Sequence, residues 1–237
     1  MQFIGLFRNL ISTLGDAVFP PVCECCGRAL VDGELLLCLH CLHDMPRTFY
    51  HRDAFSEIHK RLAAPGIPIV RTASLFHYIK ESPYARLIQL AKYNNRPSIN
   101  RFLARLFASE LQSEQFFDGI DILLPIPLHW RKQWKRGYNQ SEIIAMGISD
   151  ITGIKIADNL KALPHSTQTR KNAIERAANM QGKIKVTHPE ELENRHCLII
   201  DDVITTGATI LSAAKAILSA APSASISVLT LAASKHQ

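Results

Sequence analysis

The chain has no long hydrophobic run. None of its 237 residues belongs to an unbroken apolar stretch of the ~18 residues that a membrane-spanning helix needs, so the sequence predicts no membrane span. Residues 1–21 contain Arg8 and Asp16 and lack a small-residue cleavage site, which makes them a poor signal peptide. Their apolar residues have helical spacing, which favours an amphipathic helix packed on the protein over a membrane-surface anchor. We therefore expect a cytoplasmic protein.

The sequence also lacks internal repeats and low-complexity tracts. With 47% hydrophobic residues, it predicts one domain of ordinary size with a small appendage. Acidic residues are outnumbered, at 21 Asp and Glu against 27 Lys and Arg, which gives a formal net charge of +6. This excess is a weak indication of an anionic partner such as phosphate groups or nucleic acid.

Cysteine is scarce outside one short segment. Five of the six cysteines fall between residues 23 and 41, where four of them form two C-x-x-C pairs. Two such pairs close a tetrahedral site for a structural zinc ion, with no position left open for catalysis. The expected ligands are Cys23, Cys26, Cys38 and Cys41. Cys25, His40 and His43 are competing ligands with less suitable spacing, and disulfides or loose thiols are the less favoured alternatives because no secretory signal is present.

Strand and helix patterns alternate from residue 69 onward. Near-continuous apolar runs predict buried strands at 69–78, 119–129, 197–203 and 225–233. Helical patterns separate them at 82–93, 99–112, 139–153 and 207–220. This alternation is typical of an α/β protein with a parallel sheet and flanking helices. We divide the chain into an N-terminal helix with a zinc module at 1–45, a connector without a clear period at 46–68, and an α/β domain at 69–237.

Two adjacent aspartates lie at the carboxyl end of one predicted strand. Asp201 and Asp202 precede a turn of small and hydroxyl residues at 205–209, which leads into a helix. Ligands of open α/β sheets bind beyond the carboxyl ends of the strands, and a helix N-terminus suits a phosphate group. Carboxylates repel a phosphate but accept hydrogen bonds from hydroxyl groups. The motif therefore predicts a ligand that carries a phosphate and a vicinal diol, such as a ribose 5-phosphate.

The same motif, LIIDDVITTGAT at 198–209, resembles the signature of the type I phosphoribosyltransferases, which bind phosphoribosyl pyrophosphate (PRPP). The resemblance implies that Asp201 and Asp202 hold the ribose hydroxyls and that a five-residue turn holds the 5-phosphate. That turn consists of Thr205, Thr206, Gly207, Ala208 and Thr209. It also implies that Mg²⁺ accompanies PRPP and that the sheet has the type I phosphoribosyltransferase arrangement.

The order of motifs along almost the whole chain resembles the ComF family of competence proteins. The cysteine pairs are followed by AKYNNR (91–96), LPIPLH (124–129), RGYNQ (136–140), RAANMQGKIKV (176–186) and the PRPP motif. The family is implicated in natural transformation, which implies imported single-stranded DNA and competence-machinery proteins as partners. By position, Lys92 matches the pyrophosphate-side loop, in which Asn94 and Asn95 replace a frequent glycine.

A basic and aromatic stretch at 129–140 permits three interpretations. Its basic residues are Arg131, Lys132, Lys135 and Arg136, and its aromatic residues are Trp130, Trp134 and Tyr138. Charges interleaved with rings are typical of a single-stranded nucleic acid site. Alternatively, the tryptophans pack on the zinc module, or the arginines contact the PRPP pyrophosphate.

Two functional classes remain open at this stage. The first is an enzyme, a phosphoribosyltransferase with an unknown acceptor, in which residues 165–183 form either a mobile hood over the site or a surface linker. The second is a non-catalytic module that senses PRPP or binds single-stranded DNA or proteins on the same fold. The intact PRPP motif favours the enzyme, whereas the asparagines at 94 and 95 favour the module.

Overall fold

The computed structural model describes residues 20–128, 133–134, 136–163 and 184–235. The expected N-terminal helix, the expected hood at 165–183 and four consecutive residues of the basic stretch, 129–132, lie outside these ranges. The chain divides into two compact units, Met1–Met45 and Pro46–Gln237. Within the described ranges, no helix has both the length and the apolar character of a membrane span.

The first unit is organised by tight turns. The Cys23 amide donates to the Arg28 carbonyl and the Gly27 amide donates to the Cys23 carbonyl, each at 2.8 Å. Gly27 has a φ of 77°, a left-handed conformation that favours glycine. The short helix α1 (Leu39–His43) follows, and the Cys38 sulfur caps it by accepting a hydrogen bond from the Cys41 amide. These turns bring the two C-x-x-C pairs together.

The second unit contains a five-stranded sheet in the order β1-β7-β6-β2-β3, in which every neighbouring pair is parallel. Its strands are β1 (Ile69–Tyr78), β2 (Ile122–Pro125), β3 (Lys155–Ile156), β6 (His196–Ile204) and β7 (Ser225–Ser234). A separate antiparallel pair consists of β4 (Leu160–Ala162) and β5 (Ile184–Val186). The expected parallel α/β architecture is confirmed.

Helices follow the strands much as the sequence indicates. The second unit contains α2 (Glu57–Leu62), α3 (Pro83–Tyr93), α4 (Pro97–Ser113), α5 (Gln140–Thr152) and α6 (Ala208–Ala220), with 3-10 turns at Tyr50–Arg52 and Pro189–Glu191. The Ser82 hydroxyl caps α3 by accepting from the Ala85 amide at 3.1 Å, and α5 ends at Gly153 with a φ of 71°. Helix α2 was not predicted, because it lies within the aperiodic segment 46–68.

Close packing fixes the position of α5. A Cβ at Gly147 of this helix would lie 2.7 Å from both Ala104 Cβ and the Arg101 carbonyl oxygen of α4. Only a residue without a side chain permits this approach of the two helices. The first residues of α5 are thereby held beside the carboxyl ends of β2 and β6, where Pro125 of β2 is in register with Ile200 of β6. The next two residues of β6 are Asp201 and Asp202.

Candidate functional site

Asp201 and Asp202 point to different partners. Asp202 is 9% exposed, and its Oδ2 lies 2.9 Å from Lys92 Nζ, at the end of α3. Asp201 Oδ1 accepts hydrogen bonds from the Ser141 hydroxyl of α5 at 3.1 Å and from the Asp202 amide at 2.8 Å. Two helices distant in sequence thus fix the orientation of the acidic pair.

The two carboxylates interact strongly with each other. Burial raises the pKa of Asp201 from 3.8 to about 7, with a further contribution from the charge of Asp202, while the Asp202 amide and Ser141 hydroxyl oppose this rise. A proton on Asp201 relieves the repulsion between adjacent acidic groups at low pH. At higher pH the pair carries a concentrated negative charge, which suits the hydroxyl groups of a sugar or a divalent cation.

Lys92 lies in the last turn of α3, directly before a loop of two asparagines. Asn94 follows the helix with a φ of −109° and Asn95 has a φ of 51°, so the second asparagine takes the left-handed conformation that favours glycine. The Tyr138 hydroxyl donates to the Ala91 carbonyl, and the Arg136 guanidinium lies 5.4 Å from the centroid of the Tyr93 ring. The end of α3 is therefore attached to the segment that precedes α5.

Asn139 and Gln140 make further hydrogen bonds that hold the segment before α5 in place. Asn139 caps α5 by accepting from the Ser141 amide at 3.1 Å, and its side-chain amide donates to the Ile126 carbonyl at 3.0 Å. Gln140 Oε1 accepts from Arg136 Nη1 at 3.0 Å. Asn139, Gln140 and Ser141 are all buried. The RGYNQ motif thus orients Ser141 toward Asp201.

The turn at 205–209 includes the first two residues of α6. Gly207 precedes the helix with a φ of 79° and offers no side chain to cap it. Thr205, Thr206 and Thr209 are exposed. Amide groups of a first helical turn and nearby hydroxyl groups are suitable donors to a phosphate. The inner side of the turn contacts α2, where the Arg61 guanidinium donates to the Thr205 carbonyl at 2.7 Å.

The four cysteines expected to bind zinc form one cluster. The sulfur atoms of Cys23, Cys26, Cys38 and Cys41 all lie within 4.8 Å of one another. The Cys26 and Cys38 sulfurs are 3.8 Å apart, which is close to the ~3.8 Å between two thiolates of a tetrahedral zinc site with ~2.3 Å bonds. Burial opposes ionisation of Cys38, but the Arg28 guanidinium and the Cys41 amide lower its pKa overall, to about 6. The cluster could hold a metal ion and is consistent with a zinc module.

Known proteins resemble this chain in the same regions. Residues 140–237, which include both aspartates and the turn, match the family model of the phosphoribosyl transferase domain. This part of the chain is therefore similar to a phosphoribosyl transferase domain. The type I phosphoribosyltransferase resemblance of the sequence motif is thereby confirmed.

Curated relatives extend the similarity beyond the phosphoribosyl transferase domain. Competence protein F of Haemophilus influenzae is 32% identical over 140 residues, which are 56% of this chain and 60% of that protein. DNA utilization protein YhgH of Escherichia coli strain K12 is 27% identical over 202 residues, 83% of this chain and 84% of that protein. Competence protein ComFC of Bacillus subtilis is 32% identical over 119 residues, which cover 50% of this chain and 47% of that protein. These homologues agree with the resemblance to the ComF family.

The structure brings together most of the expected site residues that it describes. Lys92, Asp201 and Asp202 meet at the carboxyl end of β6, with residues 205–209 following them in the chain. Of the basic and aromatic stretch, Trp134 is 88% exposed, whereas Tyr138 is half-buried with its hydroxyl turned to Ala91. Arg131, Lys132 and Lys135 lie outside the described residues.

Three residues near the site were missed from the sequence. Ser141 contacts Asp201, Arg61 contacts the 205–209 turn, and the exposed Tyr93 ring lies under Arg136. Ser141 directly follows the RGYNQ motif, so its position at the start of a helix was the available signal. Arg61 and Tyr93 had no comparable signal, because each acquires its partner through tertiary contacts.

Proposed function

We propose that the chain binds PRPP at the carboxyl end of β6 and acts as a phosphoribosyltransferase-like protein in the handling of imported DNA. The observation that supports the PRPP site most strongly is the acidic pair beside the 205–209 turn within a phosphoribosyl transferase domain. The names of the relatives, which refer to competence and DNA utilization, support the biological role.

Each part of PRPP has a complementary group in this proposal. The 5-phosphate lies in the 205–209 turn, where amide and hydroxyl donors of a helix N-terminus face it. The ribose hydroxyls donate to Asp201 and Asp202. The pyrophosphate lies toward Lys92, whose ammonium group now pairs with Asp202 at 2.9 Å and becomes available as the hydroxyls take over that carboxylate.

Catalysis in this proposal requires positioning and charge neutralisation. The C1–O bond to pyrophosphate breaks, the leaving group carries away the electron pair, and a nucleophile such as a base nitrogen forms the new bond at C1. Mg²⁺ bound with PRPP would neutralise pyrophosphate charge, and carboxylate oxygens of the acidic pair are suitable ligands or partners of its water molecules. Ser141 keeps the Asp201 carboxylate in a fixed orientation, and Lys92 orients the Asp202 carboxylate before the ligand binds.

Single-stranded DNA is the proposed macromolecular partner. Two rings are available near Arg136, since Tyr93 is 69% exposed and Trp134 is 88% exposed. Arg136 lies over the Tyr93 ring, so a cation and a stacking surface occur together. A strand that stacks its bases on these rings would bring its backbone to Arg136 and one base toward the PRPP site. Competence-machinery proteins are further expected partners.

The cysteine cluster is proposed to bind a structural zinc ion. Four thiolates leave no open coordination position, so the metal would stabilise a small unit rather than activate water. The cytoplasm, in which thiols stay reduced and available to zinc, is the expected compartment.

A second candidate function is a non-catalytic module. Asn94 and Asn95 in the pyrophosphate-side loop favour it, because the family often has a glycine there. In this case PRPP would be a regulatory ligand and the DNA surface would carry the activity.

Measurement of pyrophosphate release distinguishes the two. Purified protein is incubated with Mg²⁺ and PRPP alone, with each nucleobase, or with single-stranded DNA, and the Asp201→Asn/Asp202→Asn variant is the control. Release that exceeds the control, and that an acceptor stimulates, supports the enzyme. PRPP binding without release supports the module, and absence of PRPP binding contradicts the proposal.

A further inference from the structure

Arg61 is a buried cation whose three acceptors belong to three different segments of the second unit. Its side chain is 4% exposed, although the helix that carries it, α2, contains only six residues. The guanidinium donates to the Thr205 carbonyl at 2.7 Å, to the Ser234 carbonyl at 2.8 Å and to the Glu57 carboxylate one turn earlier. A buried charge is costly unless its donors are satisfied. Both terminal nitrogens of the guanidinium have acceptors, which fix it in place, whereas the buried Nε has no partner among the described residues.

Two of the acceptors belong to the edge of the sheet where the ligand is proposed to bind. Ser234 ends β7, and Thr205 directly follows β6 at the start of the 205–209 turn. Arg61 therefore joins the end of one strand to the turn after its neighbour. The Tyr50 hydroxyl donates to Glu57 at 2.9 Å and so holds the carboxylate that pairs with Arg61.

The contact with Thr205 determines where the next amide points. The Thr205 carbonyl and the Thr206 amide belong to one planar trans peptide, so they point in opposite directions. Because Arg61 of α2 binds the carbonyl, the Thr206 amide is directed away from α2. Thr205 and Thr206 are both exposed. Leu62 supports the same turn, since a Cβ at Gly207 would lie 2.8 Å from Leu62 Cδ2.

We propose that Arg61 is a positioning residue for the phosphate-binding turn: by holding the Thr205 carbonyl and the end of β7, it aims the Thr206 amide at the 5-phosphate of the ligand. This inference rests on the proposed function, which supplies the phosphate. It assigns a role in the site to the segment 46–68, which precedes the first strand of the sheet and was expected only to connect two parts of the chain.

The test compares Arg61→Lys and Arg61→Met with Arg101→Lys in the full-length protein. Lysine keeps the charge but cannot reach both carbonyls with a planar fork, whereas methionine removes every donor. Arg101 is the matched control, because it makes a two-pronged ion pair with Asp150 that joins α4 to α5 outside the turn. If Arg61→Met does not fold, Arg61→Lys provides the comparison.

Two measurements are made on each variant. Calorimetric titration with ribose 5-phosphate should show affinity weakened about threefold by Arg61→Lys and about tenfold by Arg61→Met, with no change for Arg101→Lys. Amide hydrogen exchange should become faster at residues 205–209 in the Arg61 variants and stay unchanged in β2 and α5. This local pattern separates positioning from general destabilisation.

The outcomes separate this inference from the proposed function. Wild-type affinity for ribose 5-phosphate in folded Arg61 variants, or unchanged exchange at 205–209, would overturn the role of Arg61 and leave the PRPP site intact. If the wild-type protein binds neither ribose 5-phosphate nor PRPP, the proposed function fails and the ligand-aiming role fails with it, while the exchange measurement still decides whether Arg61 orders the turn.

Discussion

The cysteine cluster and the strand-end site are assembled in opposite ways. The four cysteines lie within 19 residues, and two local turns bring their sulfur atoms within 4.8 Å of one another. The strand-end site collects Lys92, Ser141 and Arg61 around one motif, and the contacts of Ser141 and Arg61 span 60 and 144 residues. A local site is specified by spacing, whereas the second site requires the completed sheet.

Of the substitutions proposed, we expect those in the cysteine cluster to have the largest effect. Cys23→Ser with Cys38→Ser should reduce zinc from about one ion per chain to a trace and lower the solubility of the protein, because metal binding and folding of such units are coupled. Metal analysis of purified protein measures the loss. Cys25→Ser is the control, since this buried cysteine lies outside the group of four and should leave zinc content unchanged. Equal zinc in the double variant would show that the cluster is not the metal site.

The exposed rings near Arg136 should contribute a moderate effect. Trp134→Ala and Tyr93→Ala should each weaken binding of single-stranded DNA by about 1–3 kcal/mol without lowering thermal stability, because an exposed ring stacks on a base and supports no core. Fluorescence anisotropy with labelled oligonucleotides measures the change. Phe55→Ala is the matched control, since this ring is 74% exposed on another part of the unit.

The salt dependence of single-stranded DNA affinity is a second test of this surface. Affinity should fall by about 0.7 log units per log unit of salt for each phosphate neutralised, and Arg131→Ala or Lys135→Ala should flatten that slope. If the Trp134 variant keeps full affinity, stacking at this surface is wrong and the DNA role would rest on the relatives alone.

We expect the smallest effect in the pH dependence of the free energy of unfolding, to which Asp201 contributes. The pKa of Asp201 is raised to about 7 in the folded protein, so the folded state holds this proton more tightly than the unfolded state. The resulting stabilisation is present below pH ~4 and is lost as the pH rises through ~7. Because the side chain keeps some contact with solvent, we expect a change of about 1 kcal/mol rather than the full value of the shift.

Asp201→Asn should remove this pH dependence. The amide oxygen can still accept from Ser141 and from the Asp202 amide, so the variant should be more stable than the wild type at pH 8 in the absence of ligand. Urea denaturation at pH 5 and pH 8 measures both proteins. Parallel losses of stability in wild type and variant would mean that another group titrates.

Sequence reasoning located the ligand-facing residues better than the residues that hold them. The strand, the acidic pair, the turn and α6 follow one another along the chain, so apolar periodicity and the motif predict them together. Helix α2 is six residues long and too short for periodicity to detect. Tyr138 belongs to the basic and aromatic stretch, and its hydroxyl donates to the Ala91 carbonyl, a contact that no local pattern indicates.

The most direct test of the account is the calorimetric titration of PRPP with Mg²⁺ into the wild-type protein and the Asp201→Asn/Asp202→Asn variant. Asp150→Asn, at the opposite end of α5 from Ser141, is the control for a change from carboxylate to amide. Because hydrogen bonds to charged groups contribute about 1.5–3 kcal/mol each, the double variant should bind PRPP at least about tenfold more weakly, and the control should bind like the wild type. Equal PRPP affinity in the folded double variant would contradict the assignment of the acidic pair to the ribose hydroxyls.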